Sequence, residues 1–329
     1  MKKFNKSKVI IPALAMIALT TAASATGTVA WFTANTATTV TGMTFTAKAS
    51  SNLLIAPDVI TSTDKVDEAS FTETLNQVTK GDLAPVSTVN GKDFYYTAQA
   101  NADGSQVSGA TYSTLSGNAI DTKKGYLEYV FQLKATNVEN SPRFIHFTKM
   151  DLNYATATPW GEGTATDEQK AASLAVANRA KAIKAYRAAV FVQTITSSNP
   201  SGDQGSANAV GIYKQNGGDN FTSKAISSLT NSTTPDMGDV TYVSTATAVA
   251  TVGAATTQYY KVVVRLWLEG EDKTCYNSAF LSVTDNWSLN LALSLQSDTT
   301  GAVTDITSVV VDSALNKKST NGGDWTANS

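Results

Sequence analysis

Side chains able to do chemistry are few in this chain of 329 residues, which has one histidine, His146, and one cysteine, Cys275. His146 sits in Phe144-Ile145-His146-Phe147, and no His-Glu-x-x-His pattern exists to bring two imidazoles onto one zinc ion. The spacing predicts a structural histidine at a core edge. A cysteine nucleophile needs a base nearby, and His146 is the sole imidazole that could serve, so Cys275 is expected to be a small semi-buried anchor of its loop. The preceding residues Glu269, Glu271 and Asp272 form an acidic cluster of the oxygen-rich kind that calcium prefers. They lack EF-hand spacing, so the expectation is an acidic turn kept in solvent by its charges, with a metal site as the alternative. Asp64 to Glu68 is no more specific. Glycine pairs lie in turn-rich stretches, not between a strand and a helix as a phosphate-cradling loop requires. Neither a catalytic residue nor a cofactor is expected, and the chain reads as a non-enzyme.

The elements around these residues are mostly strands. Trp287, Leu289, Leu291, Leu293 and Leu295 alternate with Ser288, Asn290, Ala292, Ser294 and Gln296, the two-residue period of a strand with one buried face. Tyr260, Val262, Val264, Leu266 and Leu268 share one face of a second strand. Its other face carries Lys261, Val263, Arg265 and Trp267, which predicts burial on both sides. Leu127, Tyr129, Phe131 and Leu133 mark a third strand and Phe144 to Tyr154 a fourth, and the turn-prone Asn137 to Pro142 between them predicts a hairpin. Met43 to Ala49, Asp93 to Ala98, Ala189 to Thr196, Val240 to Val243 and Val303 to Val311 are weaker strands. Ser197 to Asn220 and Asn231 to Gly238 read as polar loops. One stretch reads as helix, from a cap at Thr166 or Asp167 through an Ala-rich run without Gly or Pro to about Arg187. Its Lys170, Arg179, Lys181, Lys184 and Arg187 predict a solvated outer face, a binding face being the alternative. The sum is an all-β, jelly-roll-like antiparallel β-sandwich with one inserted helix and long polar loops.

Composition and the first residues point outside the cell. Charged residues make up 16% of the chain and the formal net charge is −2, with no basic field of the kind nucleic acid demands, so no nucleic-acid partner is expected. A single cysteine forms no internal disulfide, leaving the core or contacts with other subunits to hold an exported protein. Lys2, Lys3, Lys6 and Lys8 precede an apolar run from Val9 to about Ala25, the outline of a signal peptide, with an uncleaved anchor as the alternative. Cleavage fits after Ala25 or after Ala30, the latter leaving Trp31 as the new N-terminus. The expected organisation is a signal peptide over 1–30, an extended segment over 31–41 and one elaborated sandwich domain over 42–329.

Gly27-Thr28-Val29-Ala30-Trp31-Phe32-Thr33-Ala34-Asn35, a small-residue cleavage motif followed by two bulky residues and a polar turn, resembles the TasA and camelysin family. Val40 to Ala47 is similar to that family's first core strand and Trp287 to Gln296 to its closing strand. Val264 to Asp272 looks like a strand and loop common among exported proteins of this signal type. The resemblance implies processing by a dedicated signal peptidase, SipW. It also implies a jelly-roll subunit that polymerises with identical subunits into extracellular fibres of a biofilm matrix, the N-terminal strand of one completing the sheet of the next. Residues 31–41 suit that part physically: Thr33, Thr36, Thr38 and Thr39 are β-branched, and the segment holds no proline and no charge. Trp31, Phe32 and Val40 would be its polymerisation contacts. The alternative for this segment is pairing within its own chain. Some camelysin relatives are regarded as metalloproteases, and a chain with one histidine gives that activity no visible chemistry.

Two other functions fit the same sandwich. A carbohydrate-binding module would present coplanar aromatic rings; of Trp160, Trp267 and Trp325, Trp267 reads as core and Trp160, in a loop, as the best platform. A coat subunit of the S-layer kind would form sheets instead of fibres. The C-terminal Asn316 to Ser329 is polar and carries no Leu-Pro-x-Thr-Gly sorting motif, so covalent wall anchoring is not expected, and an accessory anchor protein is one candidate partner.

Overall fold

The computed structural model describes residues 43–50, 52–58, 67–79, 83–96, 113–120, 123–154, 183–196, 209–218, 240–270, 272, 275 and 287–310. In chain order the strands are β1 Met43–Ala49, β2 Leu53–Pro57, β3 Thr74–Thr79, β4 Tyr95–Tyr96, β5 Ser113–Thr114, β6 Ala119–Ile120, β7 Lys123–Lys124 and β8 Tyr126–Asn137. They continue with β9 Arg143–Tyr154, β10 Tyr186–Ile195, β11 Gly211–Lys214, β12 Ala250–Val252, β13 Thr256–Leu268, β14 Trp287–Gln296 and β15 Thr307–Val310. One sheet has the order β12-β9-β14-β1-β3, with β15 also on β9, and a second has the order β11-β10-β13-β8-β2. The fold is an all-β sandwich. β8, β9 and β10 alternate between the sheets, β10 and β13 pair within one sheet, and β14 returns to the other. Most pairings are antiparallel; β1 with β14 and β15 with β9 are parallel. Among the described residues no helix is long and apolar enough to cross a membrane.

The main core lies where the alternating faces meet. Phe45 and Ala47 of β1 and Leu289, Leu291 and Leu293 of β14 are buried from one sheet, against Leu127, Tyr129, Phe131 and Leu133 of β8 and Tyr260, Val262, Val264 and Leu266 of β13 from the other. Phe45 stacks on Tyr129 with ring centroids 4.5 Å apart. β13 is apolar on both faces because a second cluster covers the far side of its sheet. There Val263 and Trp267 meet Ala189, Phe191 and Ile212 of the same sheet and Ala84, Val86, Phe94 and Leu115 of a flap that includes β4 to β7. The flap comes close enough that a side chain at Gly91, where φ is +70°, would put its Cβ 2.4 Å from the Ala189 Cβ. Arg265 lies between the Tyr126 and Phe191 rings, at 4.8 and 5.2 Å from their centroids, under the Gly91 carbonyl it donates to.

Several expectations need correction. β8 and β9 form no hairpin: β8 is flanked by β13 and β2, β9 by β14, β12 and β15, so residues between them carry the chain from one sheet to the other. β9 also contains a bulge, the register with β14 shifting between Ala292 and Leu293, which lets Ile145, Phe147, Met150 and Leu152 all face the core without strict alternation. The helical run does not reach Arg187. Ile183–Ala185 is a 3-10 turn, and β10 already begins at Tyr186, where ladder bonds to β13 and full burial outweigh helix propensity. Thr166 to Lys181, with Lys170 and Arg179, lies outside the described residues. Ser197 to Asn220 is not all loop, since it contains β11, whose Tyr213 is a core residue. Val240 to Val243 is irregular and meets β11 by one bond, from the Val243 N–H to the Ile212 carbonyl at 2.9 Å.

Candidate functional site

The acidic turn after β13 does not face water. Glu269 and Asp272 are 0% and 1% exposed, so the expectation of a solvated acidic turn fails for both. Glu269 continues β13 inward, its N–H donating to the Ala185 carbonyl at 2.8 Å, and its carboxylate accepts from the Ser87 hydroxyl and, at 3.1 Å, from Trp267 Nε1. Asp272 is turned back by its N–H bond to the Glu269 carbonyl and accepts from Arg187 Nη2 at 2.6 Å. Arg187 was expected on a solvated helix face; it is fully buried on β10. Its Nη1 donates to the Lys184 and Tyr186 carbonyls at 2.6 and 3.0 Å and its Nε to the Tyr242 hydroxyl at 3.4 Å. Burial works against its charge, but the Tyr242 hydroxyl and the Asp272 and Glu269 carboxylates outweigh it, so Arg187 holds its proton more tightly than a free arginine. With these commitments the pair Glu269 and Asp272 acts as a structural hub. Glu271 lies outside the described residues, and among the described residues no group of three or more His, Cys, Asp or Glu is placed to hold a metal ion.

The other chemically capable residues are built into the sheets. His146 is buried across from Ser294, with Nε2 3.1 Å from the Ser294 hydroxyl. Burial lowers its pKa, against the opposing pull of the Phe144 backbone and the Asp298 carboxylate, and this keeps the imidazole neutral. Cys275, the one cysteine of the chain, is enclosed in the main core, buried more deeply than the semi-buried anchor expected. Trp267 is core, as its place on β13 predicts. Trp160, Trp325 and the N-terminal residues Ala30, Trp31, Phe32 and Val40 lie outside the described residues.

Two surface features remain. The first is the edge formed by β3, which pairs with β1 and, among the described residues, with no other strand. Natural edges are protected by charge, proline or bulges. Thr74-Leu75-Asn76-Gln77-Val78-Thr79 has none of these. The edge at β2 ends in Pro57 and is bridged at Ile55 by Thr72, and on β11 the Ile212 and Lys214 carbonyls accept from Val243 and Ile306. The second feature is a groove of about 460 Å³ where the start of β11, residues 241–247 and the flap residue Val89 meet. Val210 on its wall is 37% exposed, one of two exposed large hydrophobics among the described residues. Gly211 is required there because a Cβ would lie 2.8 Å from Val243 Cγ2 and 2.9 Å from the Tyr213 ring.

Sequence reasoning missed the hub and the groove. Arg187 and Asp272 are separated by 85 positions and Ser87 and Glu269 by 182, and nothing local marks either pairing. Thr74–Thr79 was not singled out as a strand at all, and nothing in its sequence marks its edge position. No protein-family model matches the chain, and comparison with curated proteins and with solved structures finds no match either.

Proposed function

We propose that the chain is a secreted structural subunit which polymerises into extracellular fibres, residues 31–41 of one copy adding a strand to the sandwich of the next. In this reading a signal peptidase cuts between Ala30 and Trp31 and frees the segment. The observation that carries the reading is the β3 edge, uncharged and free of proline, beside β1, into which residues 31–41 lead after the single link Gly42. The resemblance of Gly27 to Asn35 to the TasA and camelysin family supports the same assembly.

Phase along the ladder shows what β3 offers. The Ala49 N–H donates to the Glu73 carbonyl at 2.9 Å, so with the register of β1 on β3 the backbone groups of Thr74, Asn76 and Val78 point away from β1. To reach that side of its own β3, the segment must cross two strand spacings, about 9.6 Å, which uses about three extended residues. A neighbouring copy has no such constraint, and a head-to-tail contact of this type propagates without closing.

Electron microscopy of the exported protein beside a variant lacking Trp31–Thr41 tests the proposal. Filaments are expected from the intact protein and only folded monomers from the shortened one. Monomers in both samples, or filaments in both, would overturn strand donation.

A further inference from the structure

We propose that the groove beside β11 is a binding site for a neutral saccharide, a function separate from assembly. Its lining combines the apolar Val89, Val210 and Ile212 with the hydroxyl-bearing Thr241, Ser244 and Thr245. Among the described residues no charged side chain lines it. The side-chain hydroxyls of Thr241, Ser244 and Thr245 make no hydrogen bond within the protein among the described residues. A sugar ring matches both kinds of lining, with an apolar face of C–H groups and a rim of hydroxyls that donate and accept. An anionic ligand would find no counter-charge among the described lining residues, and a purely apolar one would leave their hydroxyls without partners. The volume of about 460 Å³ lies within the range of small-ligand sites.

The groove also rejects an extended peptide. Strand addition needs outward backbone groups on β11, and its Ile212 and Lys214 carbonyls already accept from the Val243 and Ile306 N–H groups at 2.9 and 2.8 Å. The hydroxyl-bearing segment is held through Tyr242. Tyr242 accepts from Arg187 Nε, and the Arg187 guanidinium carbon and Lys214 Nζ lie 5.7 and 5.9 Å from its ring centroid. Arg187 is itself fixed by Asp272, so the buried hub gives this segment one position before a ligand arrives.

The test is saturation-transfer NMR and titration calorimetry on the exported chain with cellobiose, maltose and N,N′-diacetylchitobiose as probes and glucuronate as the anionic control. At least one neutral disaccharide is expected to bind with a Kd of about 1 mM, well above the response to glucuronate. Val210→Asp, which places a charge against the apolar face, is expected to abolish the signal. Ser244→Ala combined with Thr245→Val removes two hydroxyls, and binding should weaken about tenfold while the melting temperature stays unchanged. No response to any of the three disaccharides, equal binding of glucuronate, or binding unchanged in both variants would overturn the inference. Filament formation is read in the same samples, so a native chain that forms filaments and binds none of the three disaccharides refutes this site and leaves the assembly reading untouched.

Discussion

Placing proline on the β3 edge separates assembly from folding. Thr74, Asn76 and Val78 direct their N–H and C=O groups away from β1; the Thr74 carbonyl already accepts from the Thr72 hydroxyl at 2.8 Å, so an added strand gains up to five new backbone bonds, about 2.5 to 7.5 kcal/mol at 0.5 to 1.5 kcal/mol net for each. Asn76→Pro removes the central donor, and the ring holds the incoming strand off, leaving a carbonyl of that strand unsatisfied. The combined loss is about 2 to 4 kcal/mol, which raises the critical concentration for polymerisation roughly 30- to 1,000-fold. The subunit itself loses little, because the Asn76 N–H lies outside the β1 ladder. The side-chain bond it makes among the described residues, from Thr46 Oγ1 to Asn76 Oδ1 at 2.8 Å, is exposed and contributes up to about 1 kcal/mol. Sedimentation across a concentration series measures the critical concentration, and thermal unfolding of the monomer checks the fold. Asn76→Lys, which keeps the N–H but adds an edge charge, provides a second variant where proline strains the strand. A folded variant of either kind that polymerises at the wild-type critical concentration refutes β3 as the accepting edge.

Three further perturbations test the architecture. Gly91→Ala combines a left-handed backbone with a Cβ 2.4 Å from the Ala189 Cβ, and should cost about 2 to 4 kcal/mol, read by denaturant unfolding; a loss below 1 kcal/mol would mean that the flap yields. Arg187→Ala leaves Asp272 buried without its partner and should cost about 3 to 5 kcal/mol, whereas Arg187→Met with Asp272→Leu should recover most of it; failure of the double variant to recover would show that Glu269 and Tyr242 depend on the guanidinium too. His146 has a lowered pKa when folded, so the unfolded chain binds its proton first, and stability should be full above about pH 6.5 and fall as pH drops toward the folded value. Urea unfolding between pH 7.5 and 5 should show this decline in the native chain and a shallower one in His146→Gln.

The parts of the fold that were legible are those where pattern and burial coincide. The leucines of β14 and the two-sided apolar run of β13 became strands with the faces their periods predict. What misled was chemistry shared by two outcomes. Asn137 to Pro142 has turn residues whether the next strand pairs in the same sheet or passes to the other one. The Ala-rich run favours helix until Tyr186, where pairing with Leu268 and Trp267 side by side on β13 decides. The acidic turn after β13 misled most, because Glu269 and Asp272 look solvated until Ser87, Trp267 and Arg187 are seen around them. Single-sequence patterns report periodicity well and cannot report which distant side chain will neutralise a buried charge.

The parallel pairing of β1 with β14 fixes the order in which the sandwich can close. β1 meets β3 within a few dozen residues of chain, but its other side is completed only by a strand near the far end of the described sequence. Until β14 has been made and delivered, a segment of the six-stranded sheet has a bare flank and the core around Phe45 lacks Leu289 and Leu291. Such long-range contacts make folding slow, because chain entropy is lost before the contacts that reward it are formed. A chain with this layout stays threadable for as long as its last third is missing, and it reaches its final shape only as a whole.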